Sequence, residues 1–561
     1  MKIRSWDERG SPPRIVVIVG LVVLTAFLYR GIGEYDFFIV DDSVYFSNPI
    51  IVSGLSLKTL GSAFTEIILG NWHPLTVISH ALCFRLFGSN SGIHHYVNLI
   101  LHIITAIVLF LSLSEATGEV YKSALVSFAF ALHPLSVETV AWVAERKGVL
   151  SSMFFMLTIL SYVRYTKNPS WVRYLLIFTF FIPGLMSKQM IVTIPAVFLI
   201  MDAWPLGRLT KRPGSGIYEK IPFFIISAIF ILVAFYAQKV GGAISGTDAI
   251  PIKLRLVNST IGYVTYVSKI LLPRNLAYFY PYDFTPSVWL FLISAISLIS
   301  VTMLAIILRK NKPWFTAGWL WFIVTLIPVA QIVQIARHLT ADRYAYLPMT
   351  GIFIIIVWWG ADILRGKPKT MITAAIVTIA TLMYISSFQI KTWRNSITIF
   401  RQAISVTKDN YIVYKNISHF LFNNNKVPEA LPFADKSLEI NPYFSEGHSM
   451  KGLILTRLNH PVEAEECFNA ALKIDPQNTE AYIGLSHLMI KNGRYDEAIS
   501  LCGKAIGING DMDYILHNNI GIAFMNKGMC GRAVEYFKQS LTLNPLFSLA
   551  QDNLRTCLSP R

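Results

Sequence analysis

The sequence predicts an all-α protein: a multi-pass membrane domain of about eleven transmembrane helices, followed by an α-solenoid of about four helical repeats. The 561 residues are 53% hydrophobic and only 15% charged, whereas soluble domains carry about 25% charged residues. Long apolar runs recur between residues 14 and 390, and a pattern repeating about every 34 residues follows them. We therefore divide the chain into a membrane domain, 1–390, and a repeat domain, 391–561.

Eleven apolar runs approach the roughly 20 residues that a helix needs to cross a bilayer. We place these spans at 14–30, 94–113, 121–140, 149–165, 173–187, 190–204, 221–238, 288–308, 314–333, 347–364 and 370–388. A further apolar stretch, 259–273, is expected to be interfacial or re-entrant, because another span there would invert the later loops. The first run follows basic residues without a small-residue cleavage site, which is typical of a signal-anchor with a cytoplasmic N-terminus.

The net charge of +16 also favours a membrane protein over a nucleic-acid partner. Residues 391–561 contain 18 basic and 16 acidic residues, so a surplus of 14 falls in the membrane domain. Cytoplasmic loops are enriched in Lys and Arg. The predicted cytoplasmic loops contain Arg164, Lys167, Arg173, Arg208, Lys211, Arg212, Arg309, Lys310, Lys312, Arg365, Lys367 and Lys369. An odd number of spans then places the repeats on the side opposite the N-terminus.

The repeats are recognised by small residues at a fixed register. Ala430, Ala464, Ala498 and Ala533 are 34, 34 and 35 residues apart, and a large aliphatic residue follows each by eight positions. This helix–turn–helix period resembles the tetratricopeptide repeat, whose units stack over a continuous core. Such a solenoid presents a groove for an extended polypeptide or a partner's tail; oligomerisation or scaffolding is the alternative. Because these repeats are not themselves catalytic, any chemistry must come from the membrane domain.

Two adjacent carboxylates, Asp41 and Asp42, lie in the first predicted outer loop. Neighbouring carboxylates raise each other's pKa, so one of them suits a general base. Next to a divalent cation the same pair could be ligands, and a solvated turn is the plain structural alternative.

Basic residues on the outer side need a reason other than topology. Arg binds phosphate through its planar fork and Lys as a point charge, so we predict a lipid-phosphate site, with membrane snorkelling and an aromatic belt as alternatives. The candidate phosphate-binding residues are Arg146, Lys147, Lys188, Arg337, Arg343 and Tyr344. Further candidates for this site are His73, His133, Glu145 and His338.

Other chemistry is not indicated by the sequence. The chain has no CxxC or HExxH metal pattern, no Walker A loop and no dinucleotide fingerprint. We therefore predict no metal site and no nucleotide cofactor, and favour packing or headgroup contacts for the histidines between 73 and 102. Cys467 and Cys502 occupy neighbouring registers in adjacent repeats, where a disulfide and buried thiols are both open alternatives.

Several segments together resemble the transmembrane and tetratricopeptide repeat-containing (TMTC-like) protein O-mannosyltransferase family, of the GT-C glycosyltransferase superfamily, in a bacterial-type form. The resemblance extends through nearly the whole chain. The matching stretches are FIVDDSVYF (38–46), NWHPLTVISHALCFRLFG (71–88), HPLSVETVAWVAERKGVLS (133–151), MSKQMIVTIP (186–195), DAWPLGR (202–208) and DRYAYLP (342–348).

The resemblance implies an inverting transfer of a sugar, such as mannose, from a polyprenyl-phosphate or dolichyl-phosphate carrier to an acceptor hydroxyl. It implies that an acid of the first outer loop, Asp41 or Asp42, activates the acceptor, and that Arg and Lys of later loops hold the carrier phosphate. The chain departs from the family pattern at two positions. Relatives often carry Asp in place of Gly148 and an acid in place of Cys83.

We therefore expect a GT-C enzyme whose repeats capture a polypeptide and deliver its Ser or Thr to the aspartates. Its predicted location is a bacterial inner membrane, or the endoplasmic reticulum membrane in a eukaryote, with periplasmic or luminal repeats. Two alternatives remain open: an envelope glycan or lipid as acceptor, and a non-catalytic membrane anchor whose repeats assemble a complex. The expected partners are the lipid-linked sugar, the acceptor polypeptide and membrane lipids.

Overall fold

The computed structural model describes residues 13–211, 213–240, 250–332, 339–508 and 510–559. Over these residues the secondary structure consists of helices, with one isolated bridge between Ile68 and Asn71 and no strand. The predicted all-α class is therefore confirmed. The chain forms two compact units, Met1–Gln402 and Ala403–Arg561, which we call the membrane unit and the repeat unit.

The membrane unit combines long apolar helices with short ones. Its helices are α1 (Arg14–Leu28), α2 (Asp42–Ser47), α3 (Pro49–Val52), α4 (Leu57–Thr65), α5 (Pro74–Phe87), α6 (Ser91–Thr117), α7 (Val120–Leu132), α8 (Ser136–Ala141), α9 (Arg146–Lys167), α10 (Trp171–Leu185), α11 (Ile194–Ala203), α12 (Arg208–Lys211), α13 (Pro213–Tyr218), α14 (Ile221–Val240), α15 (Ile252–Leu271), α16 (Val288–Leu308), α17 (Pro313–Leu326), α18 (Met349–Ile363) and α19 (Pro368–Thr392). A further helix, α20 (Ser396–Val406), crosses the division between the units.

Among the described helices, six are long and apolar enough to cross a membrane. They are Arg14–Glu34, Ser91–Thr117, Val143–Lys167, Gly216–Val240, Val288–Leu308 and Pro368–Thr392. The other five predicted spans coincide with apolar segments of 10–17 residues, so the count of eleven is not confirmed. One apolar helix, α5, was not among the predicted spans, and the stretch predicted to be interfacial lies mostly in α15.

The single helix predicted over 121–140 is wrong, because the chain forms α7 and then the separate α8. Proline disfavours helical backbone at the residue before it, and His133, before Pro134, is extended with φ −75° and ψ 140°. The break lets Glu138 and the following turn reach the site described below.

The repeat unit is a series of antiparallel helical pairs. Its helices are α21 (Tyr411–Asn423), α22 (Val427–Ile440), α23 (Ser445–Arg457), α24 (Pro461–Ile474), α25 (Thr479–Lys491), α26 (Tyr495–Ala505), α27 (Asp513–Asn526), α28 (Cys530–Leu543) and α29 (Ser548–Leu558). The four alanines that define the repeat register are fully buried. Small side chains at these positions let the paired helices approach closely, as the sequence pattern predicts.

Candidate functional site

Asp42 is held by the backbone and is not available to a ligand. Its carboxylate accepts N–H bonds from Phe38 at 2.8 Å and from Ala144 at 2.7 Å, and its side chain is fully buried. Burial raises the pKa of Asp42, while the two backbone donors pull it down. Asp42 therefore joins the first loop to the turn that precedes α9.

Asp41, its neighbour, has a different environment. Its side chain is 29% exposed, and its carboxylate lies 4.0 Å from the ammonium of Lys147. The backbone at Asp41 has φ 57° and ψ −47°, and the side chain makes no capping bond to α2. Positive φ is uncommon for residues other than glycine and often marks a functional position. Of the two aspartates, Asp41 is therefore the one with an accessible carboxylate.

Beside Asp41 lie three cations, Lys147, Lys188 and Arg343, which we call the basic cluster. Glu145 lies at its centre and is 3% exposed. The Glu145 carboxylate is 2.9 Å from the ammonium of Lys188, 3.4 Å from Nε of Arg343 and 4.0 Å from the ammonium of Lys147. One buried carboxylate thus contacts all three cations.

The basic cluster is assembled from separate segments of the chain. Lys147 lies in the first turn of α9, Lys188 between α10 and α11, and Arg343 in the 3-10 turn Asp342–Ala345. The segment before Lys188 is fixed to the start of α5, since Leu75 donates its N–H to the Met186 carbonyl and Thr76 donates its hydroxyl to the Ser187 carbonyl.

Arg343 has a second carboxylate partner, Glu138, which is not among the residues predicted for the site. Arg343 Nη1 lies 2.6 Å from Glu138 Oε1, and the Arg343 backbone N–H donates to the other carboxylate oxygen at 3.2 Å. Burial disfavours the charge on Arg343, but the two glutamates raise the pKa of this residue above its ordinary value. Glu138 lies in α8 and Glu145 seven residues later, beyond the end of that helix at Ala141, and a second acid so close in the sequence was the available signal.

An aromatic ring covers part of the basic cluster. The Tyr344 ring centroid lies 5.0 Å from the Arg343 guanidinium carbon and 5.9 Å from the Lys188 ammonium. Both distances are within the range of cation–π attraction. Tyr344 therefore lies beside two of the three cations.

Arg146 points elsewhere. Its guanidinium is fully buried and donates to Asn98, to the His94 carbonyl at 2.8 Å and to Ser79 at 3.3 Å. These contacts join α9 to α5 and α6. The geometry therefore favours a packing role for Arg146, and we leave it out of the proposed phosphate site.

Two of the predicted histidines, His73 and His133, lie among the described residues. His73 Nε2 is 2.8 Å from the Tyr45 hydroxyl, and burial lowers the pKa of His73 to about 3. His133 is 3.0 Å from the Ile270 carbonyl and accepts the Leu135 N–H, so it fixes the break between α7 and α8. Two further candidates, Arg337 and His338, lie outside the described residues.

Asp342, the residue before Arg343, forms an ion pair with Lys269. The ammonium of Lys269 is 2.8 Å from the Asp342 carboxylate, which also accepts the Tyr280 hydroxyl at 2.8 Å. Lys269 lies near the end of α15, the stretch that we predicted to be interfacial. No group of three or more His, Cys, Asp or Glu residues suited to a metal ion occurs in the part of the chain that the structure describes.

The chain is similar to known proteins along most of its length. The chain is 25% identical to protein O-mannosyl-transferase TMTC3 of Homo sapiens over 94% of this chain and 64% of that protein. It is 24% identical to protein O-mannosyl-transferase TMTC1 of Homo sapiens over 66% of this chain and 48% of that protein. These matches confirm the resemblance to the TMTC-like family. The chain spans about half to two thirds of the length of these relatives.

The repeat unit also matches a known protein family by itself. A family described as "Tetratricopeptide repeat" matches residues 455–513. Among solved structures, pilF of Pseudomonas aeruginosa is 21% identical, with a TM-score of 0.25 over 26% of this chain and 67% of that one. The helical pairs and the family match both support tetratricopeptide architecture in this unit.

Proposed function

We propose that this chain, similar along most of its length to the TMTC-like protein O-mannosyl-transferases, transfers a sugar from a lipid-linked phosphate donor to a polypeptide hydroxyl. The observation that supports this most is the position of Asp41. Its partly exposed carboxylate lies 4.0 Å from Lys147, at the edge of the basic cluster. A base and an anion site side by side are what glycosyl transfer from a phosphate carrier needs.

Asp41, rather than Asp42, is the proposed general base. A general base must come within hydrogen-bond reach of the hydroxyl that it deprotonates. Both Asp42 oxygens already accept backbone N–H bonds inside the protein, whereas Asp41 retains an exposed face. Asp42 then acts as a positioning residue that fixes the loop carrying the base.

The basic cluster is the proposed site for the donor phosphate. The acceptor oxygen attacks the anomeric carbon, the bond from that carbon to the phosphate oxygen breaks, and the hydroxyl proton passes to Asp41. The phosphodiester monoanion becomes a monoester dianion while Asp41 becomes neutral, so the total charge is unchanged. Cations already in place stabilise the charge that develops on the leaving phosphate. Attack from the face opposite the phosphate gives inversion.

Glu138 and Glu145 keep the cations in place before the donor arrives. With Asp41 they balance the three positive charges of the basic cluster formally. Buried cations without a partner are costly, so these carboxylates allow the cluster to be buried in the empty enzyme. The donor phosphate then competes with Glu145 for the same three side chains.

The repeat unit is the proposed binding domain for the acceptor polypeptide. Tetratricopeptide helices form extended concave surfaces that suit extended chains. We propose that the repeats and the site lie on the non-cytoplasmic side of a bacterial inner membrane, or of the endoplasmic reticulum membrane in a eukaryote. The donor is then a polyprenyl-phosphate or dolichyl-phosphate sugar such as mannose.

Matched variants of the two aspartates test the proposal. The purified full chain is supplied with lipid-phosphate mannose and a Ser/Thr-rich polypeptide, and transfer is measured by mass spectrometry. Asp41→Asn should lower turnover by about 10²–10⁴-fold, the range for loss of a general base, and should lower the melting temperature less than Asp42→Asn does, because the Asp41 carboxylate is partly exposed. Asp42→Asn should lower the melting temperature, because an amide accepts the two backbone N–H bonds less well. Full turnover by Asp41→Asn would contradict the assignment.

A further inference from the structure

The last two helices of the repeat unit bring two cysteines together. Cys530 is the first residue of α28, and Cys557 lies near the end of α29. Their sulfur atoms are 2.7 Å apart, although 27 positions separate them in the sequence. The antiparallel packing of α28 and α29 therefore places the two thiols in direct contact at the open end of the pair.

The helix that this contact holds is weakly anchored. Within α29 only Ala550 is fully buried, while Leu549 and Leu558 are 59% and 61% exposed. A covalent link at this end would therefore restrain the helix that has least burial.

The other described cysteines lie elsewhere. Cys467, which is also half-buried, and the buried Cys502 belong to separate hydrophobic clusters of the repeat unit, and Cys83 is buried in the membrane unit. Burial raises the pKa of Cys502 to about 11, which leaves little of the reactive thiolate. Cys530 and Cys557 are only half-buried, so an oxidant can reach them.

We propose that Cys530 and Cys557 are a disulfide site that closes the last helical pair of the repeat unit. The proposal rests on the predicted placement of the repeats in an oxidising compartment and not on the transferase chemistry. The oxidant is an external disulfide, either a thiol–disulfide oxidoreductase or oxidised glutathione. One cysteine thiolate attacks it to form a mixed disulfide and release one thiol. The second cysteine then attacks the mixed disulfide and releases the other thiol, so two electrons and two protons pass to the oxidant.

Thiol counting on the full chain tests this site. Cells producing the protein are lysed in denaturant with N-ethylmaleimide, and the purified chain is then reduced and labelled with a maleimide polymer. Two of the five thiols should become labelled only after reduction, and a single cross-linked peptide pair should contain positions 530 and 557. Cys530→Ser and Cys557→Ser should each abolish both signals, whereas Cys467→Ser should leave them unchanged.

A second measurement reports the structural effect. Reduction should speed hydrogen exchange in α29 by at least about tenfold in the native chain, since a disulfide limits opening. It should have no effect in the Cys530→Ser/Cys557→Ser double variant. Alkylation of all five thiols before reduction, or a cross-link that survives in Cys530→Ser, overturns the proposal. Because Asp41→Asn keeps every cysteine, this test and the transferase assay fail independently.

Discussion

Gly148 makes room for the carboxylate at the centre of the basic cluster. A β-carbon at this position would lie 2.5 Å from Glu145 Oε2 and 3.2 Å from Thr139 Cγ2. That carboxylate oxygen is the one bound to Lys188, so it cannot move without loosening the cluster. The glycine at this position is therefore coupled to the position of Glu145.

The substitution Gly148→Ala adds one methyl group and so tests this coupling. Overpacking a filled site costs about 1–3 kcal/mol, and here the cost falls on the contact between Glu145 and Lys188. We expect transfer from lipid-phosphate mannose to fall by about tenfold or more, since 1.36 kcal/mol corresponds to a factor of ten in rate. Gly61→Ala, where nothing lies within 4 Å of the added carbon, is the matched control. Equal turnover by both variants would show that Glu145 can move freely.

The basic cluster also predicts a pH dependence. Burial lowers the pKa of Lys188 below its ordinary value, although Glu145 partly compensates. As the pH rises through this lowered pKa, Lys188 loses its charge, and donor binding should weaken. This loss should occur at a lower pH than it would with a lysine that is exposed to water. Arginine stays charged at such pH values, so Lys188→Arg should move the alkaline limb of kcat/KM upward. Identical alkaline limbs in the native chain and the variant would exclude Lys188 as the titrating group.

The sequence suggested a group of candidate residues but not the direction in which each one points. The structure brings five of these candidates together, namely Asp41, Lys147, Lys188, Arg343 and Tyr344. Consecutive helical residues point about 100° apart, so Arg146 and Lys147 face different neighbours although they are adjacent. A hydropathy pattern does not reveal which neighbour each one meets, and packing of α9 against α5 and α6 decides it.

At the scale of elements, the number of spans was the least predictable feature. An apolar run predicts burial, but lipid and the interior of a helical bundle are equally apolar environments. The run 121–140 was long enough to span, yet Pro134 divides it into α7 and α8. The repeat register was predictable because small residues recur in sequence at the spacing at which helices meet. Those alanines are buried as that spacing requires.

Aromatic rings of the repeat unit pack onto glycines of neighbouring helices. A β-carbon at Gly484 in α25 would lie 2.4 Å from the Phe468 ring in α24, so the ring must shift if any side chain is added. Gly484→Ala should therefore destabilise this pair of helices by about 1–3 kcal/mol. Hydrogen exchange of α24 and α25 in the full chain measures the effect.

The control for that substitution lies in the next helix. At Gly503, in α26, nothing lies within 4 Å of an added β-carbon. Alanine is favoured over glycine inside helices by about 1 kcal/mol, so Gly503→Ala should slow exchange or leave it unchanged. Slower exchange in both variants would show that the Phe468 ring has room to move.

At the scale of the whole molecule, the proposed function requires the repeats and the site to face the same compartment. The basic residues 309–312 and 365–369 flank late apolar helices and are predicted to stay on the cytoplasmic side. Helix α19 begins at Pro368, within the second of these basic segments. If α19 crosses the membrane, the chain after Thr392 emerges on the opposite side.

Fusions that report the compartment test this topology directly. A reporter active only outside the cytoplasm, joined after Arg561, should be active, and the same reporter joined after Lys369 should be inactive. Replacing Arg365, Lys367 and Lys369 by Gln should lower the activity of the C-terminal fusion, because the charge bias that retains this loop in the cytoplasm is removed. Activity of the fusion after Lys369, or inactivity of the fusion after Arg561, would place the repeats away from an extracytoplasmic donor. In that case the repeats could not deliver an acceptor to Asp41, even if the membrane unit transferred the sugar.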